Sequence, residues 1–251
     1  MAKYTNSCTI LAGALAVFVL LPVTGCGQRT APPQLPPPAS EARAVPDGIR
    51  WVRDSAEFRA LTVQTYRDAT SAVTVAAATR KSGGWAVILD ADETVISNLQ
   101  YQIELARAGA VYSAESWRAW VARREATPLP GAAAFLTRVR ALGGYIAIVT
   151  NRLQSECADT EAVFKAHKLA YDAMLCRADN GPSDKNPRFA QVAAGSTATG
   201  GTAREVVAFV GDNILDFPTM TQSSTKANDA ALEGFGVKYF VLPNPMYGSW
   251  Q

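Results

Sequence analysis

Asp90-Ala91-Asp92-Glu93-Thr94 sets two carboxylates one residue apart, with a hydroxyl two positions later, directly after the unbroken apolar run 84–89. So short and continuous a run reads as a strand buried on both faces. The acids then emerge at the carboxyl end of a parallel-sheet strand, where open α/β sheets place their ligands. The pattern recurs. Residues 145–149 run into Thr150-Asn151-Arg152, and residues 206–210 run into Gly211-Asp212-Asn213, with Asp216 just beyond. Asp184-Lys185 lies between them, with Arg188 following. In a parallel sheet these ends share one crevice, which gathers several carboxylates, a lysine and a hydroxyl. Like charges so close disfavour joint ionisation. A hard divalent cation resolves the conflict, and Mg²⁺ suits one or two carboxylates together with phosphate and water. Asp90 and Asp212 are the direct ligand candidates; Asp216 is a ligand directly or through water. The chemistry this set suits is phosphoryl transfer. Asp90 attacks phosphorus and forms an aspartyl-phosphate. Asp92 protonates the leaving alkoxide and then activates water, a role that predicts an acidic pH optimum. Lys185 and Mg²⁺ offset the repulsion between nucleophile and ester, while Thr150 and donors near Asn151 hold the non-transferring oxygens.

The elements that must position these groups follow from periodicity. Phe58, Leu61, Val63, Tyr66 and Val73 have helical spacing, which predicts one or two helices over residues 54–79. Residues from about 95 to 127 form an insertion after the first strand. Ser113 opens a helix there, and Trp117, Trp120 and Val121 share one of its faces, a spacing more typical of core than of a ligand sandwich. A helix over 132–142 ends at Gly143-Gly144. Another covers about 155–168, and strands are expected at 173–176 and 239–242. This alternation predicts an α/β fold: a doubly wound parallel sheet, with a small helical cap made by the N-terminal helices and the insertion. The Gly/Thr-rich stretch 195–201 lacks the Gly-Lys-Ser/Thr ending of a phosphate loop and is given no phosphate role.

The N-terminus reads as an address. Lys3, the apolar stretch 10–21 and Val23-Thr24-Gly25-Cys26 resemble a bacterial lipoprotein signal, which implies cleavage before Cys26 and lipid attachment to it; an ordinary secretory signal and an uncleaved transmembrane anchor are the alternatives. Gly27 after the cysteine implies, in a Gram-negative cell, transfer to the outer membrane. Residues 26–46 form a Pro-rich, extended tether with no core-forming capacity. Residues 47–251 are enough for a single α/β domain with its insertion. The net charge of +2, with no Lys/Arg cluster, leaves no footprint for a nucleic-acid polymer. The single histidine, His167, reads as a surface residue near a helix end, and its isolation excludes histidine-nucleophile and multi-histidine zinc chemistry. Cys157 and Cys176 fall on the same side of a βαβ unit. An extracytoplasmic address permits a disulfide between them, with two small half-buried thiols as the alternative.

Asp-x-Asp-x-Thr after one strand, Thr-Asn-Arg after another, then a lysine and Gly-Asp-Asn-x-x-Asp, in that order, resembles the haloacid dehalogenase (HAD) superfamily. Asp90-Ala91-Asp92-Glu93-Thr94-Val95-Ile96-Ser97-Asn98, Tyr101, the Trp117/Trp120 insertion and the ending Leu242-Pro243-Asn244-Pro245-Met246-Tyr247-Gly248-Ser249-Trp250 resemble its class C bacterial lipoprotein acid phosphatases, often 5′-nucleotidases. The resemblance implies Asp90 as nucleophile, Asp92 as acid/base whose backbone carbonyl also binds metal, and Asp212 and Asp216 as metal ligands. It implies small phosphomonoesters as substrates, nucleoside monophosphates favoured, with Tyr101 and Tyr247 as candidates for stacking on a base. Ala91 and Ile214-Leu215 depart from the commoner family residues, and Leu215 stands where it could alter the metal's surroundings. The rivals are a non-catalytic surface binding lipoprotein on the same fold, a pump-type domain, against which the acidic Asp92 argues, and phosphotransfer to an alcohol. Nothing in the sequence points to an oligomeric state.

Overall fold

The computed structural model describes residues 44–227 and 229–251. The signal segment, Cys26 and nearly all of the tether lie outside the described residues. In chain order the elements are α1 (Asp47–Asp54), α2 (Ala56–Ala77), β1 (Trp85–Leu89), β2 (Ile96–Ser97), α3 (Leu99–Ala108), α4 (Ala114–Arg123), β3 (Thr127–Pro128), α5 (Ala132–Ala141), β4 (Tyr145–Leu153), α6 (Cys157–Ala166), β5 (Ala173–Arg177), α7 (Asn186–Ala194), β6 (Glu205–Gly211), α8 (Gln222–Ala227) and β7 (Tyr239–Val241).

Five strands form one parallel sheet in the order β5-β4-β1-β6-β7. The chain starts at the centre, moves outward through β4 and β5, then returns to lay β6 on the other side of β1. The strand order therefore reverses between β1 and β6, the place where doubly wound sheets open a crevice at their carboxyl ends. Alternate residues of β1 go to opposite faces. Val87 and Leu89 join Ile146, Ile148, Ala208 and Val210 beneath α2 and α5. Ala86 and Ile88 join Ala147, Val149 and Phe209 against Phe189 and Val192 of α7. Both faces are thus dry, which explains why β1 shows no polar alternation. Truncating a side chain such as Leu89 to Ala would cost about 2–5 kcal/mol.

Local chemistry sets the boundaries. The region 54–79, expected to hold one or two helices, holds one, α2, and a separate helix, α1, precedes it and ends at Asp54. Ser55 adopts extended backbone, and its Oγ accepts from Phe58 N at 3.0 Å to cap α2. Ser113 caps α4 in the same way, accepting from Ser116 N at 3.1 Å. β4 runs beyond the expected 145–149 to Leu153, so Thr150, Asn151 and Arg152 lie within the strand, beside a register shift against β5. The insertion leaves and re-enters the core at one point, because Ile96 and Ser97 pair antiparallel with Pro128 and Thr127. Its helices pack through Tyr101 against Trp117 and Trp120, and α1 packs on α3 to complete the cap. Cys157 and Cys176 form a disulfide, with Cα atoms 6.1 Å apart, joining the start of α6 to β5. Among the described residues no helix is long and apolar enough to cross a membrane.

Candidate active site

The ends of β1 and β6 and the start of α7 bring four charged groups together. Lys185 Nζ lies 2.5 Å from Asp90 Oδ1 and 2.6 Å from Asp216 Oδ1, with all three side chains buried. The other Asp216 oxygen accepts from Asn213 N at 3.0 Å. Gly211 must be glycine for this arrangement, since a Cβ there would be driven into the Asp216 carboxylate. Asp212 accepts from Asn244 Nδ2 at 2.8 Å and faces Thr94 Oγ1 at 3.4 Å. Carboxylate oxygens of Asp90, Asp212 and Asp216 all lie within 4.8 Å of one another. Burial raises Asp90 to about 7, Lys185 partly opposing and Asp216 and Asp92 adding to the rise. Burial likewise pushes Asp212 well up, reinforced by Asp216 and Asp90. Burial works against the Lys185 ammonium, yet Asp216 and Asp90 outweigh it and hold its pKa above the ordinary value. These directions agree: the cluster is short of positive charge. Three hard oxygen donors in a buried, cation-deficient pocket fit a divalent metal of the Mg²⁺ type.

Asp92 stands apart from that cluster. Its carboxylate is held by Arg152, whose Nη2 lies 2.7 Å from Oδ1 and whose Nε bridges both oxygens at 3.0 and 3.1 Å. Arg152 itself is 1% exposed at its side chain. The next residue, Glu93, has φ of 50°, a left-handed conformation that a side chain of its size rarely adopts. It is held there by Asn98 N at 2.7 Å, Ser97 Oγ at 3.2 Å and Tyr247 OH at 3.1 Å, all donating to its buried carboxylate. Burial raises Glu93 to about 7. Strain of this kind is retained where the surroundings over-determine the backbone, here at the turn just after Asp92.

Thr150 is fully buried, and its Oγ1 accepts from Arg152 N at 3.1 Å. The Arg188 guanidinium bonds the Thr150 carbonyl and Asn151 Oδ1, the latter at 2.6 Å, and also reaches the Ser183 and Asp184 carbonyls at 3.4 and 3.3 Å. It therefore ties the Thr150-Asn151 strand end to the segment that carries Lys185. All of Asp90, Asp92, Thr150, Asn151, Lys185, Asp212 and Asp216 converge on one sheet edge. Leu215 is exposed, 44% by area, and its backbone N–H donates to Asn213 Oδ1 at 3.1 Å.

A cleft of about 860 Å³ opens from Asp92 and Arg152 between the cap and the C-terminal segment, with Trp117, Met246 and Tyr247 in its walls. Tyr247 is half-buried, its hydroxyl tied to Glu93. Tyr101 contributes to the wall but is only 3% exposed; its hydroxyl bonds Ser116 Oγ at 2.8 Å, and its ring is enclosed by Trp117 and Trp120. Trp120 is core, as its spacing predicts, while Trp117 reaches the cleft beneath the Arg152 guanidinium, 5.2 Å from ring centre to Cζ. Sequence reasoning did not find the partners of these groups: Arg152 for Asp92, Asn244 for Asp212, Arg188 for Thr150, and Asn98 and Tyr247 for Glu93. Each lies inside or beside a motif already singled out, but nothing in a motif's spacing states which side chain meets which.

The family model described as HAD superfamily, subfamily IIIB (Acid phosphatase), matches residues 31–250. Among solved structures, the class C acid phosphatase from Bacillus anthracis superposes with a TM-score of 0.72 at 27% identity, over 81% of this chain and 84% of that one. The crystal structure described as the same organism's class C acid phosphatase with tungstate bound gives a TM-score of 0.71 at 26% identity, over the same shares.

Proposed function

The chain belongs to HAD subfamily IIIB, the acid phosphatases, and is a phosphomonoesterase; from that premise we propose that it hydrolyses its esters through an aspartyl-phosphate on Asp90, with Asp92 as general acid and base. The observation that carries this reading is the division of labour among the acids. Asp90 shares a buried, cation-seeking cluster with Lys185, Asp212 and Asp216. Asp92 is held out of that cluster by Arg152, at the mouth of the cleft. Two carboxylates in such different surroundings suit two roles.

In this scheme Asp90 Oδ attacks phosphorus while the bond to the ester oxygen breaks, and Asp92 delivers a proton to that oxygen. Asp92 then takes a proton from the water that cleaves the acyl phosphate. Lys185 keeps the nucleophile and the phosphoryl oxygens in contact by offsetting their charge. The Thr150 hydroxyl and the backbone near Asn151, steadied by Arg188, hold the oxygens that do not transfer. Asp90, Asp212, Asp216 and the Asp92 carbonyl would hold Mg²⁺, which when bound supplies charge neutralisation for the phosphoryl group. Tungstate in the Bacillus anthracis relative is a tetrahedral oxyanion, which supports a phosphate-shaped site on this chain as well.

The cleft beyond Asp92 supports a leaving group of nucleoside size, and we assign nucleoside monophosphates as preferred substrates, with Tyr247 the better-placed stacking surface and Tyr101 supporting the wall. We also propose lipid attachment at Cys26 and a cell-envelope address at the outer membrane; mass spectrometry of the mature chain from a bacterial membrane fraction tests it. The catalytic reading is tested with an aryl phosphate, a nucleotide panel and glycerol phosphate, with and without Mg²⁺, using wild type and Asp90→Asn. Metal-dependent turnover, fastest on nucleotides and absent in the variant, is expected; equal turnover by both proteins would falsify Asp90 as nucleophile.

A further inference from the structure

Asn98 is fully buried at the root of the insertion, and its carboxamide is used to capacity. Nδ2 donates to Asp92 Oδ1 at 2.8 Å and to Glu93 Oε1 at 3.2 Å. Oδ1 accepts from Trp120 Nε1 at 2.8 Å and from Arg152 Nη2 at 3.0 Å. A carboxamide has two donor hydrogens and two acceptor lone pairs, so nothing is left over. Turning the amide round would set its NH₂ against an indole N–H and a guanidinium, and its oxygen against two carboxylates, so only one orientation is available. The residue thus has a single fixed pose, dictated from four sides.

That pose has a consequence at Asp92. Oδ1 meets three donors: Arg152 Nη2 at 2.7 Å, Arg152 Nε at 3.0 Å and Asn98 Nδ2 at 2.8 Å. Oδ2 meets only the shared Arg152 Nε at 3.1 Å. The two oxygens are therefore unequal, and the less engaged one is the one free to carry a proton. Trp120, which fixes the far side of Asn98, stands on α4 of the insertion, away from the sheet edge that carries Asp92.

We propose that Asn98 is the positioning residue of Asp92: it saturates Oδ1, leaves Oδ2 as the atom that exchanges a proton with the ester oxygen, and through Trp120 makes the helical insertion part of that arrangement. The inference rests on Asp92 being the general acid. A buried, fully satisfied network of this kind rigidifies what it holds, and losing one member leaves the others unpaired.

The test is leaving-group dependence. An activated aryl phosphate expels a phenolate that needs little protonation, whereas a nucleoside monophosphate or alkyl phosphate needs the acid. The parameter is kcat/KM, which ends at leaving-group departure and is blind to the later water step. Asn98→Ala should lower kcat/KM for the nucleotide by roughly 10- to 100-fold and for the aryl phosphate by no more than about threefold, a partial loss of the roughly 10²–10⁴ that a positioned acid supplies. Trp120→Phe keeps an aromatic ring on α4 and removes the indole N–H together with part of the ring's volume; it should show the same selectivity at roughly three- to tenfold, below what a whole positioned acid supplies, and it decides the matter if Asn98→Ala does not fold. Equal losses on both esters, or none on either, overturn the inference. Asp92→Asn separates the two layers. If that variant does not discriminate between leaving groups, the acid reading of Asp92 fails; if it does and both Asn98→Ala and Trp120→Phe do not, only the positioning role fails.

Discussion

Raising the pH from 5 to 8 without divalent metal should weaken this fold. The cause is the carboxylate cluster. Asp90 titrates at about 7 in the folded chain against 3.8 for an unperturbed Asp, chiefly because it is buried. An acid that holds its proton more tightly when folded stabilises the fold while protonated. That contribution is complete below about pH 4 and is lost as the pH climbs through the folded value. From pH 5 to 7 the loss amounts to two units at about 1.4 kcal/mol each, or roughly 3 kcal/mol. Glu93, also raised to about 7 by burial, and Asp212, raised in the same direction, add losses of the same sign. For a domain of this size, roughly 3 kcal/mol corresponds to a drop in Tm of about 6–12 °C. Metal binding requires ionised ligands, so Mg²⁺ should restore Tm strongly at pH 8 and weakly at pH 5. Asp90→Asn removes one of the buried charges; without metal at pH 8 it should melt above wild type although it turns over nothing. The assay is thermal unfolding by circular dichroism at fixed ionic strength, in chelator and in Mg²⁺, at both pH values. A wild type that melts higher at pH 8 than at pH 5 in chelator, or a Mg²⁺ shift equal at both, refutes the account of the cluster as an unmet demand for positive charge.

Two further outcomes follow from the same geometry. Lys185→Met removes the cation shared by Asp90 and Asp216; kcat/KM should fall by about 10²–10³, while calorimetric Mg²⁺ binding in the absence of phosphate should tighten, and weaker binding would contradict the charge balance described. Cys157→Ser opens the 19-residue span closed by the disulfide, which should cost about 3 kcal/mol in denaturant melts; reduction of wild type should reproduce the loss, and an unchanged midpoint in both would show that the bond contributes nothing.

The central strands were legible because their chemistry is redundant. Residues 85–89, 145–149 and 206–210 are apolar on both faces, and each runs directly into polar groups, so strand identity and site identity come from the same residues. What the sequence did not reveal depends on tertiary contact. β4 continues through Thr150, Asn151 and Arg152 because Leu153 still pairs with Arg177 across the register shift, a partnership no local propensity states. Helix α1 lies ahead of the apolar spacing that marks α2, and only the Ser55 cap separates the two. Helix α7 went unpredicted: only Phe189 and Val192 face the core strongly, and Pro187 at its start reads locally as loop. At the site, the acids were visible by type and spacing, but their partners were not. Arg152 looks like one more polar residue after a strand until the fold swings it onto Asp92, 60 positions away in the chain.

The position of β1 carries one more implication. All five of its residues are buried, with an apolar environment on either face, so sliding by one place would exchange one greasy neighbour for another and meet little resistance from side-chain alternation. Two residues oppose the slide: Trp85, whose ring packs against Gly144 and could not take the place of Ala86, and Asp90, whose carboxylate would be dragged between the layers, away from Lys185. Asp90 thus helps to fix strand alignment as well as to build the site. A chain with leucine at that position would lose not only turnover but also part of its guard against misthreaded folding.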